Sequence, residues 1–226
     1  MMSLLISADR FIHSSRDLNP VVDRTLSLRS LIVFVAVFGL WYGAVMGTFG
    51  GFASDRLMQV LYSSTKVPLL LFATFVLSLP SFYVLNVLLG LGQDFGDAVR
   101  CLVAAQAGTT VVLAVLAPYT ALFYASSSHY QAAILFNAVA FGAASLTGQF
   151  LLLRFYHPLI QRNARHRWMA RLWILVYAFV GIQMGWVLRP FIGNPAEPPE
   201  FLRTEAWSNA YVVILRLAWS VVGGSG

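Results

Sequence analysis

The chain has 226 residues, of which 58% are apolar and only 11% charged, and its mean hydropathy is +0.72. Soluble domains carry roughly 25% charged residues, so this chain has too little charge to cover a water-facing surface, and nine Pro with 17 Gly are too few for a collagen-like or disordered chain. The net charge of +6 lies between apolar runs, which points to membrane topology rather than nucleic acid, and the one cysteine, Cys101, excludes an internal disulfide or a multi-cysteine metal site.

Residues 1–29 come first. Leu4, Leu5, Ala8, Phe11 and Ile12 recur at helical spacing, with Asp9, Arg10, Arg16 and Asp17 elsewhere, which predicts an amphipathic helix lying in the membrane plane. Arg29 and Asp55 then bracket 25 uncharged residues. A hydrocarbon core about 30 Å thick needs ~20 apolar residues at 1.5 Å each, so a first crossing is predicted over about 30–52. Leu31 to Phe49 is longer than the ~7–15 apolar residues of a signal-peptide core. Although Gly51-Phe52-Ala53 offers a cleavage-like site, the run reads as a retained anchor.

Leu57, Met58, Leu61 and Tyr62 predict a second surface helix, ending at Lys66 and Pro68, and the crossing 67–90 follows within the 27 uncharged residues between Lys66 and Asp94. Arg100 and Arg154 bracket 53 uncharged residues, about 80 Å if helical, which must fold back. The bend is predicted between Tyr124 and Gln131, giving crossings at 101–123 and 131–153. The fifth, 170–189, spans the 17 uncharged residues between Arg171 and Arg189, both able to snorkel to the headgroups.

Beyond it, Phe191, Ile192, Phe201 and Leu202 within the proline-rich stretch Pro190 to Glu205 predict a cap folded over the helix ends. Residues 206–222 carry Arg216 near their middle, where a crossing would cost roughly 2.5 to 3.5 kcal/mol. An interfacial helix is preferred there, with a sixth span as the alternative. Residues 223–226 have the composition of a tag scar and are left out of the fold.

The predicted fold is therefore an all-α integral membrane protein. It is a bundle of five transmembrane helices over 30–222, or six, with amphipathic interfacial helices at both termini. Five spans place ten Lys and Arg on the side of the N-terminus and five on the other. The positive-inside rule then predicts a cytoplasmic N-terminus and an outward cap.

Lipid tails are as apolar as leucine, so helix association needs close approach at small residues. Gly39, Gly43 and Gly47 form one ridge at steps of four, Ala140, Ala144 and Gly148 a second, and Gly181 with Gly185 a third. These are the predicted helix-packing or oligomer faces. Pro80 and Pro118 predict kinks within the second and third spans. Asn86, Gln106, Asn137, Gln149 and Gln183 are amides at membrane depth, where an unpaired one costs several kcal/mol. They are expected to bond between helices or to line a pore.

No chemistry is legible. The four histidines are scattered, and there is no nucleophile elbow, no phosphate loop and no Asp, Glu or Lys inside the five predicted spans. Neither a catalytic residue, a metal nor a cofactor is predicted. Arg154, Arg162, Arg165, Arg167 and Arg171 form a basic connection suited to anionic lipid or an acidic partner.

Lys66-Val67-Pro68 leading to Leu79-Pro80-Ser81-Phe82-Tyr83, and Gly185-Trp186-Val187-Leu188-Arg189-Pro190-Phe191, together with the five-span layout over roughly 30–190, resemble the Yip1-type family and uncharacterised polytopic proteins of the bacterial inner membrane. The Asp-Leu-Tyr-Gly-Pro signature of the eukaryotic members is missing, so no functional residue carries over. The resemblance implies membrane embedding and partner binding without catalysis. The expected function is that of a non-enzymatic scaffold or accessory subunit in the bilayer, as a homo-oligomer or beside other membrane subunits and without nucleic acid. An oligomeric channel or permease with an amide-lined path is the alternative.

Overall fold

The computed structural model describes residues 27–51, 56–195, 197–202 and 212. The predicted N-terminal helix and nearly all of 206–222 lie outside the described residues. Five helices follow in order: α1 Leu28–Gly47, α2 Leu57–Leu88, α3 Phe95–Ser126, α4 Tyr130–Arg162 and α5 Arg165–Val187, with a 3-10 turn at Gly92–Asp94 before α3. Among the described residues there is no strand. All five helices are long and apolar enough to cross a membrane, so the chain is an all-helical, multi-pass membrane protein.

Apart from α1, which ends at Gly47, the helices run further than the predicted crossings. The 32 residues of α2 span about 48 Å, and α2 takes in both the crossing and the segment read as a surface helix. Leu57 to Tyr62 are its first turns, and the helix continues through Pro68, so no separate surface helix exists there. Likewise, the arginine-rich connection is not a loop from 154 to 171. The end of α4 and the start of α5 carry those residues, leaving Asn163 and Ala164 between them. Charge sets where a helix leaves the hydrocarbon, but backbone hydrogen bonding continues to favour the helix in the headgroup layer. Pro80, Pro118 and Pro158 also lie inside helices.

α3 is the central element. It packs along α1 on one side and α4 on the other, while α2 packs along α1 and α5; α4 and α5 meet over a shorter stretch. The neighbours of α3 approach closely where its buried face carries Ala98, Ala104, Ala105, Ala107 and Gly108. Two apolar clusters result. One, toward the arginine-rich end, includes Phe34, Phe82, Cys101, Phe155, Tyr156 and Trp173. The other, toward the opposite end, includes Tyr42, Met46, Phe49, Leu113 and Ile192. At the start of α1, the Ser27 hydroxyl accepts the Ser30 N–H at 3.1 Å and caps the helix.

Contacts fix which connections share an end. His166 Nε2 lies 3.1 Å from Asp94 Oδ2, and Arg162 donates to Asp97 at 3.1 Å, which joins the α2–α3 and α4–α5 connections. At the other end, segment 188–202 meets the starts of α2 and α4.

Candidate functional site: the cap and the groove beside it

The start of α2 places Arg56, Gln59, Ser63 and Lys66 at steps of three and four, hence on one stripe, and all four are buried. This stripe holds the cap. Arg56 Nη1 donates to the Asn194 carbonyl at 3.2 Å, and Gln59 Nε2 to the Phe191 carbonyl at 3.4 Å. Ser63 Oγ donates to that same carbonyl. Lys66 Nζ donates to Pro190 O at 2.6 Å and to Glu200 O at 3.4 Å, and lies 5.1 Å from the centre of the Phe201 ring. The described residues of 189–202 form no helix or sheet ladder, so their carbonyls need outside donors, and the α2 stripe supplies them. Gly193 is required by the approach, since a Cβ there would come within 2.6 Å of Gln59 Cδ. Tyr130 adds a bond to the Ile192 carbonyl at 3.1 Å, and Phe201 packs edge-on against Tyr62. The predicted cap is thus present.

The stripe is not legible from hydropathy, because a charge at the edge of an apolar run such as Lys66 marks the boundary of a span. Lys66 is also a fully buried cation inside α2, one residue before the predicted crossing 67–90. The signal was available in the polar repeat 56, 59, 63, 66.

The amides do not share one place. Asn137 Oδ1 accepts from the Tyr42 hydroxyl at 2.9 Å, while Nδ2 donates to Tyr124 Oη at 2.7 Å and to Ala133 O at 2.8 Å, tying α4 to α1 and α3. Gln106 Nε2 donates to Tyr177 Oη at 2.6 Å and to Leu71 O at 3.4 Å, tying α3 to α5 and α2. Gln106 and the half-buried Gln149 line a small cavity of about 50 Å³ with Thr109 and Gly148, and Gln149 Oε1 has no hydrogen-bond partner there. Asn86, near the far end of α2, donates to Phe82 O at 3.1 Å. Gln183 is half-buried on α5.

The glycine ridges point mostly inward. A Cβ on Gly39 would lie 3.3 Å from Pro68 Cβ, on Gly43 2.8 Å from Ser64 Cα, and on Gly47 2.6 Å from Val60 Cα, so α1 rests on the backbone of α2. Ala140 and Ala144 are buried, and a Cβ on Gly148 would collide with the Thr109 hydroxyl of α3. Gly181 faces Thr74 at 3.5 Å, whereas Gly185 has open space.

Of the arginine cluster, Arg162 pairs with Asp94 and Asp97, and Arg165 donates to Leu89 O at 3.1 Å. Arg167 and Arg171 are exposed, the latter 5.3 Å from the Trp168 ring, and Arg154 is half-buried.

Beside the cap, α4, Leu70 of α2 and residues 189–192 enclose a groove of about 370 Å³. No family model matches the chain, and no curated protein or solved structure matches it.

Proposed function

We propose that this is a non-enzymatic membrane protein that acts by association, as an assembly component or accessory subunit of a membrane complex. Its working flank is the pair α4 and α5. The proposal includes a bacterial inner membrane as the setting and a cytoplasmic arginine-rich end, in keeping with the Yip1-type resemblance of layout and the positive-inside rule.

The observation that carries the reading is the uneven burial of the helices. The apolar window of α3 is 72% buried within the chain, against 22% for α4 and 11% for α5. On α4, Leu135, Val139, Gly142, Leu146, Phe150 and Leu153 are exposed and recur at steps of three and four, and a Cβ on Gly142 would meet nothing within 4 Å. Such a seam suits a neighbouring transmembrane helix. The channel reading draws on the cavity shared by Gln106 and Gln149. It is second because Asn137 spends both amide hydrogens inside the protein and Asn86 lies elsewhere.

The test uses purified protein in lipid vesicles. Labelled copies are expected to show energy transfer that Gly142→Phe reduces, with no solute or ion flux above that of empty vesicles. Flux abolished by Gln149→Leu in a still-folded protein would overturn the reading.

A further inference from the structure

The groove beside the cap has the build of a lipid site. Leu70, Ile134, Ala138 and Phe141 form apolar walls, and Phe191 and Ile192 stand at the cap side. Ile134 and Ala138 are exposed on α4, so the groove opens sideways to the surroundings of the bundle. Asn137 lies in the lining, but its amide hydrogens are already given to Tyr124 and Ala133. Arg189 is the one charged side chain of the lining. It stands just beyond Val187, the last residue of α5, at the level where a span gives way to headgroups.

Size decides what class of apolar ligand fits. A cavity of about 370 Å³ is at the low end of the ~300–1,000 Å³ typical of small-molecule sites. A partner helix ~10 Å across would fill that volume with about three residues, so the groove is too small for one and suits a single hydrocarbon chain. Charge decides the other end of the ligand. The Arg189 guanidinium carbon lies over the Trp186 ring, 3.4 Å from its centre, and a guanidinium carries its donors in its plane, in a fork that matches phosphate oxygens. Trp186 and Tyr130 flank this level with the aromatic character of a membrane interface.

We propose that this groove binds one anionic phospholipid from the leaflet at the cap end, with an acyl chain along Leu70, Ile134, Ala138 and Phe141 and its phosphate against Arg189. The site goes beyond the association reading and does not depend on it.

Native mass spectrometry of the purified full chain, given equal phosphatidylglycerol and phosphatidylcholine of matched acyl chains, tests it. The wild type is expected to retain phosphatidylglycerol preferentially, and excess inorganic phosphate is not expected to displace it. Arg189→Gln should reduce the preference about five-fold, the scale of one basic residue at an anionic headgroup. Arg189→Lys should keep most of it. Ala138→Trp, at an exposed position where a large side chain fits without disturbing the core, should remove retention of both lipids. Arg29→Gln, exposed at the opposite end, should change nothing. No preference in the wild type, an undiminished preference in Arg189→Gln, or retention surviving Ala138→Trp would each overturn the proposal. If Arg189→Gln fails to fold, Ala138→Trp decides alone.

Discussion

The ammonium group of Lys66 lies 2.6 Å from the carbonyl oxygen of Pro190, 124 residues away in the chain, with its whole side chain buried. A cation removed from water is tolerated only where acceptors replace its hydration. The cap supplies two carbonyls and an aromatic ring, and in return it is fastened to α2.

Lys66→Met removes that donor and strands the Pro190 carbonyl. A loss of about 1–3 kcal/mol is expected, together with faster proteolysis within 189–202. Cys101 is the sole cysteine and is buried, so the temperature at which it becomes labelled by a thiol-reactive dye reports the stability change. Unchanged cleavage kinetics would show that Lys66 does not hold the cap.

Gly43 and Gly142 should respond oppositely to alanine. Even a methyl group at Gly43 meets the α2 backbone at Ser64, whereas at Gly142 it meets open space. Gly43→Ala is expected to cost about 1–3 kcal/mol through overpacking, and Gly142→Ala to gain up to ~1 kcal/mol from helix propensity. The same Cys101 labelling transition measures both, and equal shifts would contradict the packing of α1 on α2.

Two amides read alike in sequence should also part company. Asn137→Leu removes one partner from each of the Tyr42 and Tyr124 hydroxyls, and a loss of about 2 kcal/mol is expected. Gln149→Leu removes a carbonyl that has no partner, so its effect should be near zero or stabilising. A double-mutant cycle of Tyr42→Phe with Asn137→Leu should show coupling of about 1 kcal/mol; additivity would mean that the bond contributes nothing.

The proposed orientation is checked at two turns. With Cys101→Ala as background, a membrane-impermeant maleimide added outside intact cells is expected to label Ser127→Cys and to spare Asn163→Cys. Labelling of both, or the reverse pattern, would refute either the crossings or their direction.

The bend between α3 and α4 was readable, because 53 uncharged residues cannot form one crossing and Ser126 to His129 are four consecutive polar residues near their middle. The cap was readable from large apolar residues among prolines. The role of Lys66 was not, since a charge at the edge of an apolar run marks a span boundary as readily as it marks a buried donor, and only the arriving carbonyls distinguish the two. The partners of Asn137 were not readable either: Tyr42 is 95 residues away, and amides pair with whatever hydroxyl the bundle brings near.

The sequence by itself determined the class of solvent, the five apolar helices and the placing of most basic residues in alternate connections. Entry into lipid is a local sum over about 20 residues, so composition suffices. Only the tertiary structure decided that α3 is central, that the α1 glycines are used up against α2, and that α4 and α5 leave an open flank with a groove under the cap. Those outcomes depend on contacts between distant segments, and in lipid every small or apolar face is chemically acceptable to every other.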